Sequence, residues 1–166
     1  MHSLALKINV SKTDQEALNK VMESCGYAPQ KRKFHCTFGF IEKMIPEDEA
    51  DSFGQTITQH LQAYIDPLPP IYEVGKAAHI FGHVIAFEPT PQSRIHLEGI
   101  NLWLSNKVNE LSEGRFTLNE ETKPGQITPH MTLWRTHRAD QRLQKLETIA
   151  DTHPSYHLTQ AGYVVF

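Results

Sequence analysis

A chain of 166 residues with 16 Lys and Arg against 19 Asp and Glu carries a formal charge of −3. That length supports one domain, or two small lobes around a shared core. The charge supplies no basic stripe of the kind that long nucleic acid recruits, so small ligands or RNA ends fit better than duplex.

Leu4 to Val10 alternates as a strand. Ser11 or Thr13 caps a helix to about Ser24, with Asp14 and Glu16 in the first turn, where the dipole favours acids. Gly26 ends it. Tyr27 to Lys33 is a polar loop carrying the cluster Lys31-Arg32-Lys33, and it leads into a strand beginning at Phe34-His35. Pro46 followed by Glu47, Asp48 and Glu49 reads as the start of a helix towards Ile65. Asp66-Pro67-Leu68-Pro69-Pro70 cannot continue a helix and reads as a hinge between halves, at about residues 66 and 67.

The second half opens with strand material at Ile71–Val74 and Ile80–Glu88, expected as a hairpin turning near Gly75–Ala78. A helix follows from about Ser93 to Leu111, then a polar loop over Ser112–Gln126. A second short strand begins at His130, an amphipathic helix spans Ala139–Ala150, and Tyr156–Phe166 is a closing strand. The whole chain, 1–166, reads as one α+β domain of two pseudo-symmetric lobes, each an antiparallel sheet with helices packed outside.

Two short stretches carry the chemistry. His35-Cys36-Thr37-Phe38 and His130-Met131-Thr132-Leu133 each put a His and a Thr on one strand face, with apolar residues on the other. Two further His-x-Ser/Thr matches, at His153 and His157, lack the same pattern: one holds Pro154, the other a polar fourth residue, Gln160. Basic residues flank the first pair, with Lys31, Arg32 and Lys33 before one motif and Arg135 and Arg138 after the other.

The paired motifs resemble those of the 2H phosphoesterases, in the branch of 2′-5′ RNA ligases and 2′,3′-cyclic nucleotide phosphodiesterases. Pro129-His130-Met131-Thr132-Leu133-Trp134-Arg135 is similar to the second motif of that branch and Phe34-His35-Cys36-Thr37-Phe38 to the first, and the likeness spans nearly the whole chain. Cys36 departs from the usual aliphatic residue at a core-facing position. The resemblance implies His-x-Thr strands facing a central cleft, and metal-independent opening of a ribose 2′,3′-cyclic phosphate without any cofactor. It also implies a possible reverse reaction as a 2′-5′ ligase. The alternatives are a phosphodiesterase for 2′-5′ or cyclic oligonucleotides, a nucleotide-binding module without turnover, and a plain interaction domain.

His35 and His130 are the expected acid and base, since an unperturbed imidazole can do either job near neutrality. The pH profile is accordingly expected to be a bell with both limbs near neutral pH. Thr37 and Thr132 would donate to the non-bridging phosphate oxygens; strand preference accounts equally well for either one alone, but poorly for the pair beside two His. Arg135 would add a charged donor, but alternation puts it opposite His130 unless the strand ends or bulges first. Trp134 falls on the His130 face and would stack a base, core packing being its ordinary role. His79 and His83 make at most half a zinc site, so no metal is expected.

Cys25 and Cys36 form no disulfide scaffold, and the first residues lack the long apolar run of a signal peptide. The expectation is a cytoplasmic monomer with a nucleotide or RNA-end substrate and no membrane partner.

Overall fold

The structure is a computed structural model and describes every residue from Met1 to Phe166. In chain order it holds β1 (His2–Val10), α1 (Lys12–Ser24), β2 (His35–Ile45), α2 (Ala50–Ile65) and β3 (Ile71–Ile80). There follow β4 (Val84–Pro89), α3 (Pro91–Leu111), β5 (Met131–Arg135), α4 (Arg142–Ala150) and β6 (Ser155–Val165). The fold is α+β. Its strands pair antiparallel in the closed order β1-β2-β5-β4-β3-β6.

Alternation explains the layers. Leu4, Leu6 and Ile8 of β1, Cys36 and Phe38 of β2, Met131 and Leu133 of β5, and Ile85 and Phe87 of β4 have no exposed surface. They join one continuous core with helix residues such as Leu18, Leu61, Leu104 and Leu146. Burying such side chains contributes roughly 1.5–3 kcal/mol apiece before chain entropy is counted. The helices cover this apolar side: α2 lies over β6 and β1, α3 over β2, and α4 over β3. The opposite side carries the part-exposed Lys7, His35, Thr37 and Thr132, with the buried Ala86 of β4 beside Thr132. No helix is long and apolar enough to cross a membrane.

Local signals act where they fall. The Ser11 side chain accepts the Asp14 N–H at 3.1 Å and caps α1, and Gly26 adopts φ +91° just beyond its end. Thr90 caps α3, with Pro91 in its first turn. Pro46–Glu49 forms the turn that leads into α2. Helix α4 begins at Arg142, later than expected, because the Asp140 carboxylate accepts the Arg142 N–H at 2.9 Å and holds the preceding residues in a turn.

The halves are also joined through the sheet. Strand β6 pairs with β1 from Leu4↔Val165 to Val10↔Leu158, and with β3 only over Ile71–Glu73.

One hairpin turns later than the sequence suggested. Strand β3 runs unbroken through Gly75–Ala78, and the chain reverses at Phe81–His83. Gly75 marks a bulge instead: the register slips between Val74 and Lys76, and a Cβ there would meet the Pro89 carbonyl oxygen at 2.9 Å. At the true tip Phe81 and Gly82 have φ +53° and +74°, two successive left-handed residues as a type I′ turn requires. A bulky Phe in that conformation is unusual.

Candidate active site

The two His-x-Thr segments lie on neighbouring strands. Strands β2 and β5 pair antiparallel with Cys36 opposite Met131. Antiparallel register therefore sets His35 across from Thr132 and Thr37 across from His130. Cys36 and Met131 point into the core, so these four part-exposed side chains share the other face. Neighbours across the strands stand roughly 5 Å apart, and the two rows roughly 7 Å. The arrangement is a checkerboard: a His beside a Thr in each row, with the order reversed.

Two cavities open onto it. The first, of about 270 Å³, is lined by His35 and Thr132 together with Arg32 and Arg135. The second, of about 840 Å³, is lined by Thr37 and His130 together with Phe81, His83, Glu120 and Glu121. Each cavity thus takes one His and one Thr, drawn from different motifs.

Both imidazoles are held in the same way. His35 Nδ1 lies 3.1 Å from the Lys33 carbonyl, and His130 Nδ1 lies 3.0 Å from the Thr128 carbonyl. A carbonyl only accepts, so each Nδ1 carries the proton and donates it. Each Nε2 is left facing away from that carbonyl, free to give or take a proton. Burial pushes the His35 pKa down to about 4, and the neighbouring Lys7, Arg32 and His130 charges add to this. His35 is therefore neutral throughout the physiological range. The Cys36 thiol beneath it is driven up to about 12 by burial, so it stays protonated and inert.

Trp134 and Arg135 exchange faces relative to simple alternation. The register between β4 and β5 runs Phe87↔Met131 and Ala86↔Thr132, then Ile85↔Trp134 and Val84↔Arg135. Leu133 is the extra residue of a β-bulge, and beyond it the alternation inverts. Trp134 turns to the Ile85 side and packs at 5.2 Å on the buried Tyr27 ring, and it also lines the first cavity. Arg135 is turned towards the face that carries Thr132.

Several site residues gave no sequence signal. Lys7 stands opposite Thr37 in the β1–β2 register, on the same face as the checkerboard. Burial and the charges of Arg32 and Lys33 lower its pKa. Gln30 donates to the Leu133 carbonyl and so pins the bulge. Gln30 itself is clamped by Asn19 of α1, which accepts its N–H at 2.9 Å and donates to its carbonyl at 3.1 Å. One helical turn earlier, Gln15 donates to the Arg32 carbonyl and accepts the Phe34 N–H. A surface helix thereby fixes both ends of the basic loop.

The second cavity is built from two segments. Asn119 and Thr122 extend the β2 edge where β5 ends, Asn119 N–H donating to the Phe40 carbonyl at 2.8 Å and Thr122 Oγ1 accepting the Phe40 N–H at 3.0 Å. The buried Asn101 amide ties this loop down by donating to the Phe38 and Thr122 carbonyls, both at 2.7 Å. On the other side the hairpin tip brings the Phe81 ring to 5.0 Å from the His130 ring, edge to face, with 57% of Phe81 exposed.

His79 and His83 serve the hairpin itself, donating to the Thr136 and Phe81 carbonyls at 2.8 Å. No group of three or more His, Cys, Asp or Glu is placed to hold a metal ion. No protein-family model matches the chain, and no curated protein matches it significantly.

Proposed function

We propose that this protein is a phosphodiesterase that opens a ribose 2′,3′-cyclic phosphate or a related nucleotide phosphodiester, with His35 and His130 as general base and acid. The observation that carries this reading is the checkerboard of two imidazoles and two hydroxyls on one strand face, each imidazole fixed by its Nδ1–H with Nε2 free. In this reading the two His-x-Thr strands face one cleft, and the scissile phosphate lies over the four side chains.

His35 is held neutral, so its Nε2 accepts a proton from the attacking water as the new P–O bond forms. His130 enters the step as the imidazolium, its Nδ1–H held by the Thr128 carbonyl, and delivers its Nε2 proton to the ribose oxygen as that bond to phosphorus breaks. The water proton and the proton on the departing hydroxyl balance, and the pair is restored by exchange with solvent. Each of the two transfers is typically worth about 10²–10⁴-fold in rate. Thr37 and Thr132 donate to the non-bridging oxygens, and Lys7 offsets the charge that grows there. Phe81 offers the nucleobase a stacking surface at the mouth of the second cavity. The step needs only proton transfer and charge compensation from side chains.

The test is hydrolysis of adenosine 2′,3′-cyclic phosphate and its three base analogues, with His35→Ala and His130→Ala alongside. The expected result is turnover by the wild type, unaffected by EDTA, and loss of it in both variants with nucleotide affinity largely kept. Binding without turnover in the wild type would make the site a nucleotide-binding module. Neither binding nor turnover would remove the reading altogether.

A further inference from the structure

The first cavity holds more positive charge than one phosphodiester needs. Arg94, Arg115 and Arg142, elsewhere on the molecule, each grip a carboxylate, at 2.7, 2.8 and 2.6 Å. Arg32 and Arg135 line the same small cavity, have no such partner, and no Asp or Glu lines it with them. This is a local concentration of charge in a chain whose formal charge is −3. Burial lowers the Arg32 pKa, and the Arg135 charge adds to this. Like charges gathered without an acid are a cost in the empty protein, and an anion between them removes it.

Both arginines are brought there by dedicated local structure. The backbone of Arg32 is fixed through Gln15, whose amide donates to its carbonyl at 3.1 Å. Arg135 reaches this side of β5 because of the Leu133 bulge, and Gln30, another residue of the same cavity, holds that bulge. Lys7 does not line this cavity but stands across from Thr37, near enough for the Arg32 and Lys33 charges to act on it. A cyclic phosphodiester brings a single negative charge, and Lys7 with the two hydroxyls answers it at the checkerboard.

We propose that the Arg32–Arg135 cavity binds a second phosphate of the substrate. This inference rests on the phosphodiesterase reading and narrows it. The preferred substrate is a nucleotide carrying a phosphate in addition to the scissile one, rather than a bare nucleoside cyclic phosphate. The second phosphate is either a terminal 5′-phosphate or the internucleotide phosphate of an oligonucleotide end. The nucleobase then extends the other way, towards Phe81, and the charge asymmetry of the two cavities sets the direction in which substrate lies.

The experiment compares kcat/KM at low salt for three substrates: adenosine 2′,3′-cyclic phosphate, its 5′-phosphorylated form, and an adenylyl dinucleotide ending in the same cyclic phosphate. Wild type and Arg32→Gln are measured with each. A charge-assisted contact of this kind predicts that wild type favours one of the two larger substrates by about 10- to 100-fold. Which of them gains identifies the source of the phosphate. Arg32→Gln, an exposed position, is expected to lose most of that preference, and added salt to erode it in the wild type. Equal kcat/KM on all three in the wild type, or an equal loss on all three in the variant, would overturn the proposal.

If no substrate is cut, the proposed function has failed, and the cavity is read by calorimetry. Adenosine 3′,5′-bisphosphate is then expected to bind wild type more tightly than adenosine 3′-monophosphate, and Arg32→Gln to remove the difference. Equal affinity in the wild type overturns the second-phosphate site.

Discussion

Thr132 of β5 lies directly across the strand pair from His35 of β2, the position antiparallel register fixes once Cys36 faces Met131. Each hydroxyl therefore has as its cross-strand neighbour the imidazole of the other motif. A pairing shifted by one residue would send one His and one Thr into the core. The bulge comes only after Thr132, so it re-aims Arg135 without disturbing the four residues before it.

With His35 as the proposed base, its depressed pKa should move the acidic limb of the rate profile. His35 stays unprotonated down to about pH 4, so kcat/KM should persist well below neutrality instead of failing near pH 6.5. A profile measured from acid to neutral pH checks this; an acidic limb centred near the ordinary histidine value would contradict it.

The same group links folding to pH. Between about pH 4 and 6.5 the unfolded chain binds a proton at His35 that the folded chain does not. Stability therefore falls as pH drops through that window, by at most about 1.4 kcal/mol per pH unit from this residue. Urea unfolding of wild type and His35→Gln should diverge across the window, with the variant showing the flatter dependence.

Thr37→Val and Thr132→Val should leave the fold in place, since Val suits a strand as well as Thr does. Each is expected to lower kcat by about 10²-fold or more through loss of a donor to the charged oxygens. Steady-state kinetics separates this from a binding defect: the loss should appear in kcat more than in KM.

Gln30→Ala releases the Leu133 carbonyl and the bulge with it. The expected cost in stability is about 1–3 kcal/mol, because Leu133 has no exposed surface and its carbonyl loses its partner. Activity should fall more than stability does, as Arg135 loses its aim. Thermal unfolding and kcat/KM on the same sample give the comparison.

Phe81→Asn tests the hairpin tip. Asn tolerates the left-handed conformation that Phe81 holds at φ +53°, so the variant should gain up to about 1 kcal/mol in stability. It should also lose about 1–3 kcal/mol of nucleotide affinity if the ring stacks a base. A gain in Tm with unchanged affinity would remove Phe81 from the site.

Gly54→Ala sets helix propensity against packing. Alanine favours α2 by about 1 kcal/mol. However, its Cβ would lie 2.5 Å from a carbon of the Tyr163 ring, which also donates to Asp51 at 3.2 Å and cannot easily withdraw. Overpacking of this kind costs about 1–3 kcal/mol, so a net fall in Tm is expected.

Much of this molecule is written locally. The alternation of Leu4, Leu6 and Ile8, the Ser11 cap, Gly26 beyond α1 and the proline-rich stretch before β3 each act within a few residues, so the elements and the α+β class follow from sequence alone. So does the sharing of one strand face by His35 and Thr37, because alternation needs no partner. The partnership of strands is a different kind of fact. That β2 lies beside β5, that β6 returns to β1, and that Lys7 stands next to Thr37 depend on contacts between residues far apart in the chain. The turn at Phe81 and the bulge at Leu133 have the same origin. In the first, Gly75 was taken up by a bulge against Pro89; in the second, Gln30, anchored by Asn19, fixed the place where alternation inverts. Side-chain chemistry and periodicity determined what each strand could offer, and tertiary packing decided which of those offers met.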